Sequence, residues 1–387
     1  FAFERPMMEM GLDSADLLAI QEKIVHQYQV PLKAAFFFQY NTPAKVLAYL
    51  AEHTRIITPT QTESITPTQT EPTSQHQDIA IIGMSCRLPK GINNPEQLWQ
   101  VLSAAEHLIG DLPADRWQWS DDIDPVEKHR GIAKGGFLTD IQQFDAPFFR
   151  ISPKEAEAMD PQQRLLLELA WHTLEHAGYA ASSLTASNTG VFIGASGSDY
   201  NRLWDQAQLP VEAHCSTGGS MAVLANRLSY FFDFQGPSLL IDTACSSSLV
   251  AVHQAVEALQ AGDCDQALVG GINILCHPTN SIAYYKAGML AKDGLCKTFD
   301  QHADGYGRSE GAVMLLLKPL NTALADGDKV YALIKGSACN HGGQASGLTV
   351  PNPNQQAALL QKAWQAAHIS PESLSYIEAH GTGTALG

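Results

Sequence analysis

The clearest hydrophobic pattern lies in the middle of the chain. Residues 238–241 (Ser-Leu-Leu-Ile) are short and apolar and follow Gly236-Pro237, which predicts a buried strand. Six small residues come next in the register of a turn: Thr243, Ala244, Cys245, Ser246, Ser247 and Ser248. Leu249, Val252, Val256 and Leu259 then recur at helical spacing, and Gly262 stands where a helix closes. Elsewhere the apolar runs 79–83, 191–194, 267–270 and 312–317 predict strands, and residues 222–232 predict a helix. Asp160-Pro161 forms a good N-cap and N1 pair for a helix through Leu165, Leu166, Leu169 and Trp171 that stops near Gly178. Strands alternating with helices imply a largely parallel, buried α/β sheet.

This pattern puts Cys245 at a strand-to-helix turn, close to a helix N-terminus. Unpaired N–H groups and the helix dipole favour an anion there, so a thiol is expected to ionise more readily than a free one. The competing reading is a small buried hydrophobe, which is what most free cysteines are. A second stretch, SYIEAHGTGT at residues 375–384, favours the first reading. Its apolar start predicts a strand over 375–378 that delivers His380 into a Gly/Thr-rich loop. A Cys and a His, each at the end of a strand, make a plausible nucleophilic site.

The N-terminal 53 residues have a different pattern. Gly11-Leu12-Asp13-Ser14 precedes Leu17, Leu18, Ile20, Ile24 and Val25 at helical spacing, so Asp13 or Ser14 serves as an N-cap. Between the two patterned regions, ITPTQTES at 57–64 recurs as ITPTQTEP at 65–72. This stretch has almost no large apolar side chains to bury, and its Thr-Pro steps favour extended geometry. The expected division is 1–53, a linker over 54–77, and 78–387.

Composition narrows the function classes. The net charge of −16 argues against nucleic acid or anionic membrane as a partner. Seven cysteines with no CxxC pair argue against a zinc site or disulfide framework and for a reducing, cytoplasmic compartment. No apolar run is long enough to span a membrane, and no signal peptide is evident. The chain starts at Phe1 without Met and stops soon after EAHGTGT, so both ends are expected to be cut. Asp300, Asp304 and Gly305 resemble a calcium loop superficially, but His302 and Gly311 occupy positions that need oxygen ligands, so no metal is expected. Gly305-Tyr306-Gly307 lacks a strand immediately before it and predicts no dinucleotide site. His129, His172 and His176 read as surface or structural residues.

Five motifs together resemble the β-ketoacyl synthase domain of modular polyketide synthases. They are GINNPEQLW (91–99), MDPQQRLLLE (159–168), DTACSSSLVA (242–251), CKTFDQHADGYGRSEG (296–311) and EAHGTGT (378–384). The resemblance runs from about residue 78 to 387. It implies the thiolase-like fold, a five-layered α-β-α-β-α stack of two related halves, with Cys245 in the first half and His380 in an incomplete second. It also implies the roles. Cys245 is the acyl-accepting nucleophile, and its backbone N–H suits an oxyanion hole. His380 helps stabilise the enolate formed when a malonyl-type extender loses CO₂, and Thr382 and Thr384 contact a pantetheine arm. A further Lys and a second His of the family belong to a motif beyond this stretch.

MGLDSADLL (10–18) and AFFFQYNTPAKVLAYLAEH (35–53) resemble an acyl carrier protein without its first helix. Ser14 then matches the serine that carries phosphopantetheine. Asn340-His341-Gly342-Gly343 together with the GLDSADLL wording resembles synthases served by a trans-acting acyltransferase. The implied partners are acyl carrier domains, acyl thioesters and malonyl-type extenders, with a homodimer as the family's assembly. The implied reaction is decarboxylative Claisen condensation. The alternatives are a non-elongating ketosynthase that only passes acyl chains along, and a non-catalytic carrier or docking scaffold.

Overall fold

The computed structural model describes residues 3, 7–10, 12, 14–28, 30–32, 36–53, 77–117, 131–345 and 349–384. The repeat of the 54–77 linker, His129, Gly11, Asp13 and the side chain of Ser14 lie outside the described residues. The chain forms two compact units, 1–73 and 74–387.

The described residues of the first unit are organised by three helices: α1 (Ser14–Tyr28), α2 (Phe36–Gln39) and α3 (Pro43–His53). Pro43 sits in the first turn of α3, where its missing N–H costs nothing, and Thr42 Oγ1 accepts the Lys45 N–H. A small core of Met7, Ile24, Phe36, Phe37, Val46 and Leu50 holds the helices together. The Phe36 ring stacks on Tyr40 at 4.8 Å and meets the Tyr49 ring edge-on at 4.9 Å.

The second unit is built on a six-stranded sheet of β1 (Ile79–Arg87), β2 (Thr189–Gly194), β3 (Ser238–Ile241), β4 (Gln266–Asn273), β5 (Gly311–Pro319) and β6 (Ala332–Ile334). The spatial order is β3-β2-β4-β5-β1-β6. The alternation of side chains along β2 explains its two cores. Val191 and Ile193 enter one, with α4 (Pro161–His176) and α5 (Val223–Phe232). Phe192 enters the other, with α6 (Ser247–Ala261). Every residue of β2 is buried, as a strand covered on both faces must be. The sheet of the second unit, with helices on both faces, thus forms an α-β-α sandwich, three of the five layers expected.

The predicted helix start at Asp160 is present. Its Oδ1 accepts the Gln162 N–H at 2.8 Å. The next polar residues are buried too, because they tie α4 to nearby loops: Gln163 Nε2 donates to the carbonyls of Thr217 and Gly218 at 2.9 and 2.8 Å. His176 is structural, accepting the Met84 N–H at 3.1 Å and stacking on Tyr331.

Three expectations are corrected. The sheet is mixed rather than largely parallel: β2 pairs in parallel with β3 and β4, but the β4–β5, β5–β1 and β1–β6 ladders are antiparallel. Alternating elements reveal covered faces, not strand direction, and the long 274–310 connection returns β5 the opposite way. The strand before Cys245 is not buried. β3 lies at the sheet edge, where Leu239 is 45% exposed. Residues 375–378 form no strand, because no ladder partner lies beside them among the described residues, and Tyr376 and Ile377 are exposed.

Candidate active site

Cys245 lies in a 3-10 turn, Ala244–Ser246, between the end of β3 and the first residue of α6. The turn is possible because α6 begins very close to the sheet. A Cβ on Gly194 would lie 2.5 Å from the backbone of Ser247 and Ser248, and one on Gly271 would lie 2.6 Å from the Ser248 side chain. Only hydrogen at both positions lets the helix start sit on the strand ends. The residue before the thiol is strained: Ala244 has φ +56°, a left-handed conformation rare for a residue with a Cβ. Local hydrogen bonds hold it. Asp242 Oδ1 accepts the Ala244 N–H at 3.0 Å. Buried Ser247 accepts the Thr243 N–H at 2.9 Å and donates to the Ala244 carbonyl at 2.6 Å. Cys245 itself is exposed. Such a bend lifts a side chain out of the strand direction and leaves it accessible, as a nucleophile requires.

His380 is also exposed and lies in an irregular segment. The glycine-rich loop after it turns through two left-handed residues, Gly381 (φ +51°) and Gly383 (φ +70°). This loop docks on the segment 296–306. Thr298 Oγ1 donates to the Gly381 carbonyl at 2.6 Å, and the Gly305 N–H donates to the Gly383 carbonyl at 3.0 Å. Thr382 and Thr384 are half-buried, and their hydroxyls bond each other at 3.2 Å.

The other end of the same segment interacts electrostatically with Cys245. Burial pushes the Tyr306 hydroxyl up from its ordinary range, Arg308 opposes the shift, and Tyr284 and Cys245 add to it electrostatically. The Arg308 guanidinium lies 4.9 Å from the centre of the Tyr284 ring. One strip of chain, residues 297–308, therefore packs against the loop that follows His380 and carries in Tyr306 a group that senses Cys245 electrostatically. The sequence singled out this strip as a motif but gave it no role, because its contact with the His-Gly-Thr-Gly loop is formed only in the fold.

A buried ion pair anchors the strip. Arg116 pairs with Glu310 and also donates to the Leu138 carbonyl at 2.6 Å. The two Glu310 oxygens accept the backbone N–H groups of Leu275 and Leu138 at 2.9 and 2.7 Å. Burial pushes the Glu310 carboxyl up, opposed by Arg116 and these hydrogen bonds. Asp300 is occupied by the His302 N–H at 2.7 Å rather than built into an ion cage. Among the described residues, no cluster of His, Cys, Asp or Glu is arranged to hold a metal ion.

Comparison with known proteins now decides the family. The N-terminal domain of β-ketoacyl synthase matches residues 76–323. The chain belongs to the β-ketoacyl synthase family. Its C-terminal domain matches residues 331–387, and a phosphopantetheine attachment site matches residues 1–50. Polyketide synthase PksM of Bacillus subtilis is 41% identical over 98% of this chain, which spans 9% of that protein. Erythronolide synthase EryA2 of Saccharopolyspora erythraea is 39% identical over 99% of this chain, which spans 11% of it. The solved oxazolomycin ketosynthase domain OzmH KS7 of Streptomyces albus superposes with a TM-score of 0.74 at 41% identity. That match covers 80% of this chain and 54% of the solved one. A ketosynthase of the Bacillus subtilis bacillaene synthase gives the same TM-score and identity, over 80% and 52%. The fold is therefore the thiolase-like ketosynthase fold. No described helix is long and apolar enough to cross a membrane.

The attachment-site family implies a covalent phosphopantetheine, and the helical unit fits it. Ser14 opens a 15-residue helix, and the positive end of a helix dipole favours an anion there.

Proposed function

We propose that residues 78–387 act as a ketosynthase that elongates a polyketide chain, that residues 1–53 act as an acyl carrier, and that residues 54–77 tether the two. In the first half-reaction the Cys245 thiolate attacks an acyl thioester on an upstream carrier, forming the S-acyl cysteine and releasing the carrier thiolate. In the second, a malonyl thioester loses CO₂. The C–C bond electrons left behind form an enolate, which attacks the Cys245 thioester carbonyl and expels the cysteine thiolate. A β-ketoacyl thioester leaves on the carrier and the nucleophile is restored. Separating acyl transfer from bond formation is covalent catalysis.

Charge develops on a thioester oxygen in both halves, and one well-aimed donor is worth about 10²–10³ in rate. The Cys245 backbone N–H is assigned to the first oxygen and His380 to the enolate oxygen. Thr382 and Thr384 are assigned to the incoming pantetheine arm, for which their mutual hydrogen bond would open. Phosphopantetheine on Ser14 would supply a thiol on a long arm to carry acyl groups as thioesters. Acyl carrier domains are the expected partners, with a homodimer as the expected assembly and a trans-acting acyltransferase as the extender supply.

The observation that carries this reading is the exposed Cys245 thiol on a strained turn between the end of β3 and the start of α6. The test is intact-mass detection of an acyl group after incubation with an acyl thioester, together with labelled CO₂ release from malonyl-carrier. Cys245→Ala is expected to abolish acylation, and His380→Ala to reduce CO₂ release. Acylation that survives Cys245→Ala removes the assignment.

A further inference from the structure

We propose that Thr298 is the positioning residue for His380. The inference rests on the role given to His380 above. His380 is exposed, and its following residues, Gly381 and Gly383, are the kind that lose most conformational freedom when fixed. A histidine in such a loop needs an external anchor to hold its ring against a substrate oxygen. The Thr298 hydroxyl supplies one a single residue away, at the Gly381 carbonyl, 2.6 Å distant.

Two further features make the contact specific. The Thr298 methyl lies 2.9 Å from where a Gly381 Cβ would be, so the side chain abuts the loop as well as bonding it. Thr298 is also held from behind. The neighbouring Lys297 ammonium bridges Asp293 and Asp304, each at 2.7 Å, and this closes the 293–304 turn. The Lys297 N atom would lie 2.9 Å from a Gly383 Cβ, so the turn and the loop are in contact at two glycines. The anchor is therefore rigid, and the hydroxyl transmits that rigidity to the residue after His380.

Thr298 touches no thioester in this scheme, so its loss separates the two half-reactions. Thr298→Val keeps the shape and removes the hydroxyl. Expected is a fall of about 10- to 100-fold in CO₂ release from malonyl-carrier, as for a group displaced by about 1 Å. The acylation rate of Cys245 by an acyl thioester stays within about twofold of wild type, and Thr298→Ser restores CO₂ release. His380→Ala is measured alongside. Normal CO₂ release by His380→Ala overturns the role of His380 and this proposal with it. A deficit in His380→Ala but none in Thr298→Val overturns the proposal alone. Parallel loss of both half-reactions in Thr298→Val, or failure of Ser to rescue, assigns Thr298 to general folding and also overturns it.

Discussion

The Ser247 hydroxyl holds Ala244 in place, donating to its carbonyl at 2.6 Å while accepting the N–H of Thr243 at 2.9 Å. Ala244 is the left-handed residue that turns the chain before Cys245, and that conformation costs about 1–2 kcal/mol in a residue with a Cβ. Ser247 is buried, and removing its hydroxyl leaves the Thr243 N–H without this acceptor, while the Ala244 carbonyl keeps the Ser247 backbone N–H. Ser247→Ala is expected to lower stability by about 1–3 kcal/mol in urea titrations and to slow Cys245 acylation. Ser248→Ala, one residue on, is the control for the helix start. Equal acylation rates in the two variants would disconnect the turn from the thiol.

The Arg116–Glu310 pair sits where neither side chain sees solvent: their exposures are 4% and 0%. Breaking one side of such a pair strands a buried charge, at a cost of about 3–5 kcal/mol, whereas replacing both sides with apolar residues is often near neutral. Arg116→Met is expected to lower the melting temperature more than the double variant Arg116→Met/Glu310→Leu. The backbone N–H groups of Leu275 and Leu138 lose their acceptor in the double variant, so its recovery is partial. A double variant no more stable than the single one would show that those two N–H groups, rather than the charge pair, dominate.

Much of this was legible in the sequence. The elements around Cys245 match closely because each is set locally: an apolar run, a stretch of small residues, a helical repeat and a glycine. Asp160-Pro161 was legible for the same reason. Strand direction and the edge position of β3 were not, since both depend on where a distant segment inserts. The failure at 375–378 has the same origin, because an apolar run becomes a strand only beside a ladder. Nor could sequence show that Thr298 and Gly381, 83 residues apart, share a hydrogen bond. The left-handed Ala244 was hidden because alanine carries no local preference for it.

Ser14 at the first residue of α1 leads to a third prediction. Incubation with a phosphopantetheinyl transferase and coenzyme A is expected to add the mass of one phosphopantetheine group, and Ser14→Ala to abolish the gain. The modification adds a phosphodiester charge at a helix start, where anions are favoured, so it is expected to leave the helix content by circular dichroism unchanged or slightly raised. A mass gain that survives Ser14→Ala would reassign the attachment point.

The seven thiols divide by environment, and this gives a pH-resolved test. Cys245, Cys296 and Cys339 are exposed, Cys215 is half-buried, and Cys86, Cys264 and Cys276 are buried. Burial pushes the Cys86 thiol up, with a smaller push from Glu96. It raises Cys264 to about 11, and Cys276 is raised further still by burial and by Asp199, Asp160 and Glu310. Thiolate is the form that reacts, so near neutral pH iodoacetamide is expected to label Cys245 well before any of the three buried residues. Labelling of Cys264 in the folded protein is expected to climb about tenfold per pH unit towards its value near 11. The same shift fixes the sign of its effect on stability. The folded pKa lies above the unfolded value of about 8.5, so the contribution is complete below that pH and is lost as pH rises through about 11. Peptide mapping across pH 7 to 10 reads the order directly. Cys264 or Cys276 labelled ahead of Cys245 at neutral pH would contradict both the burial argument and the choice of nucleophile.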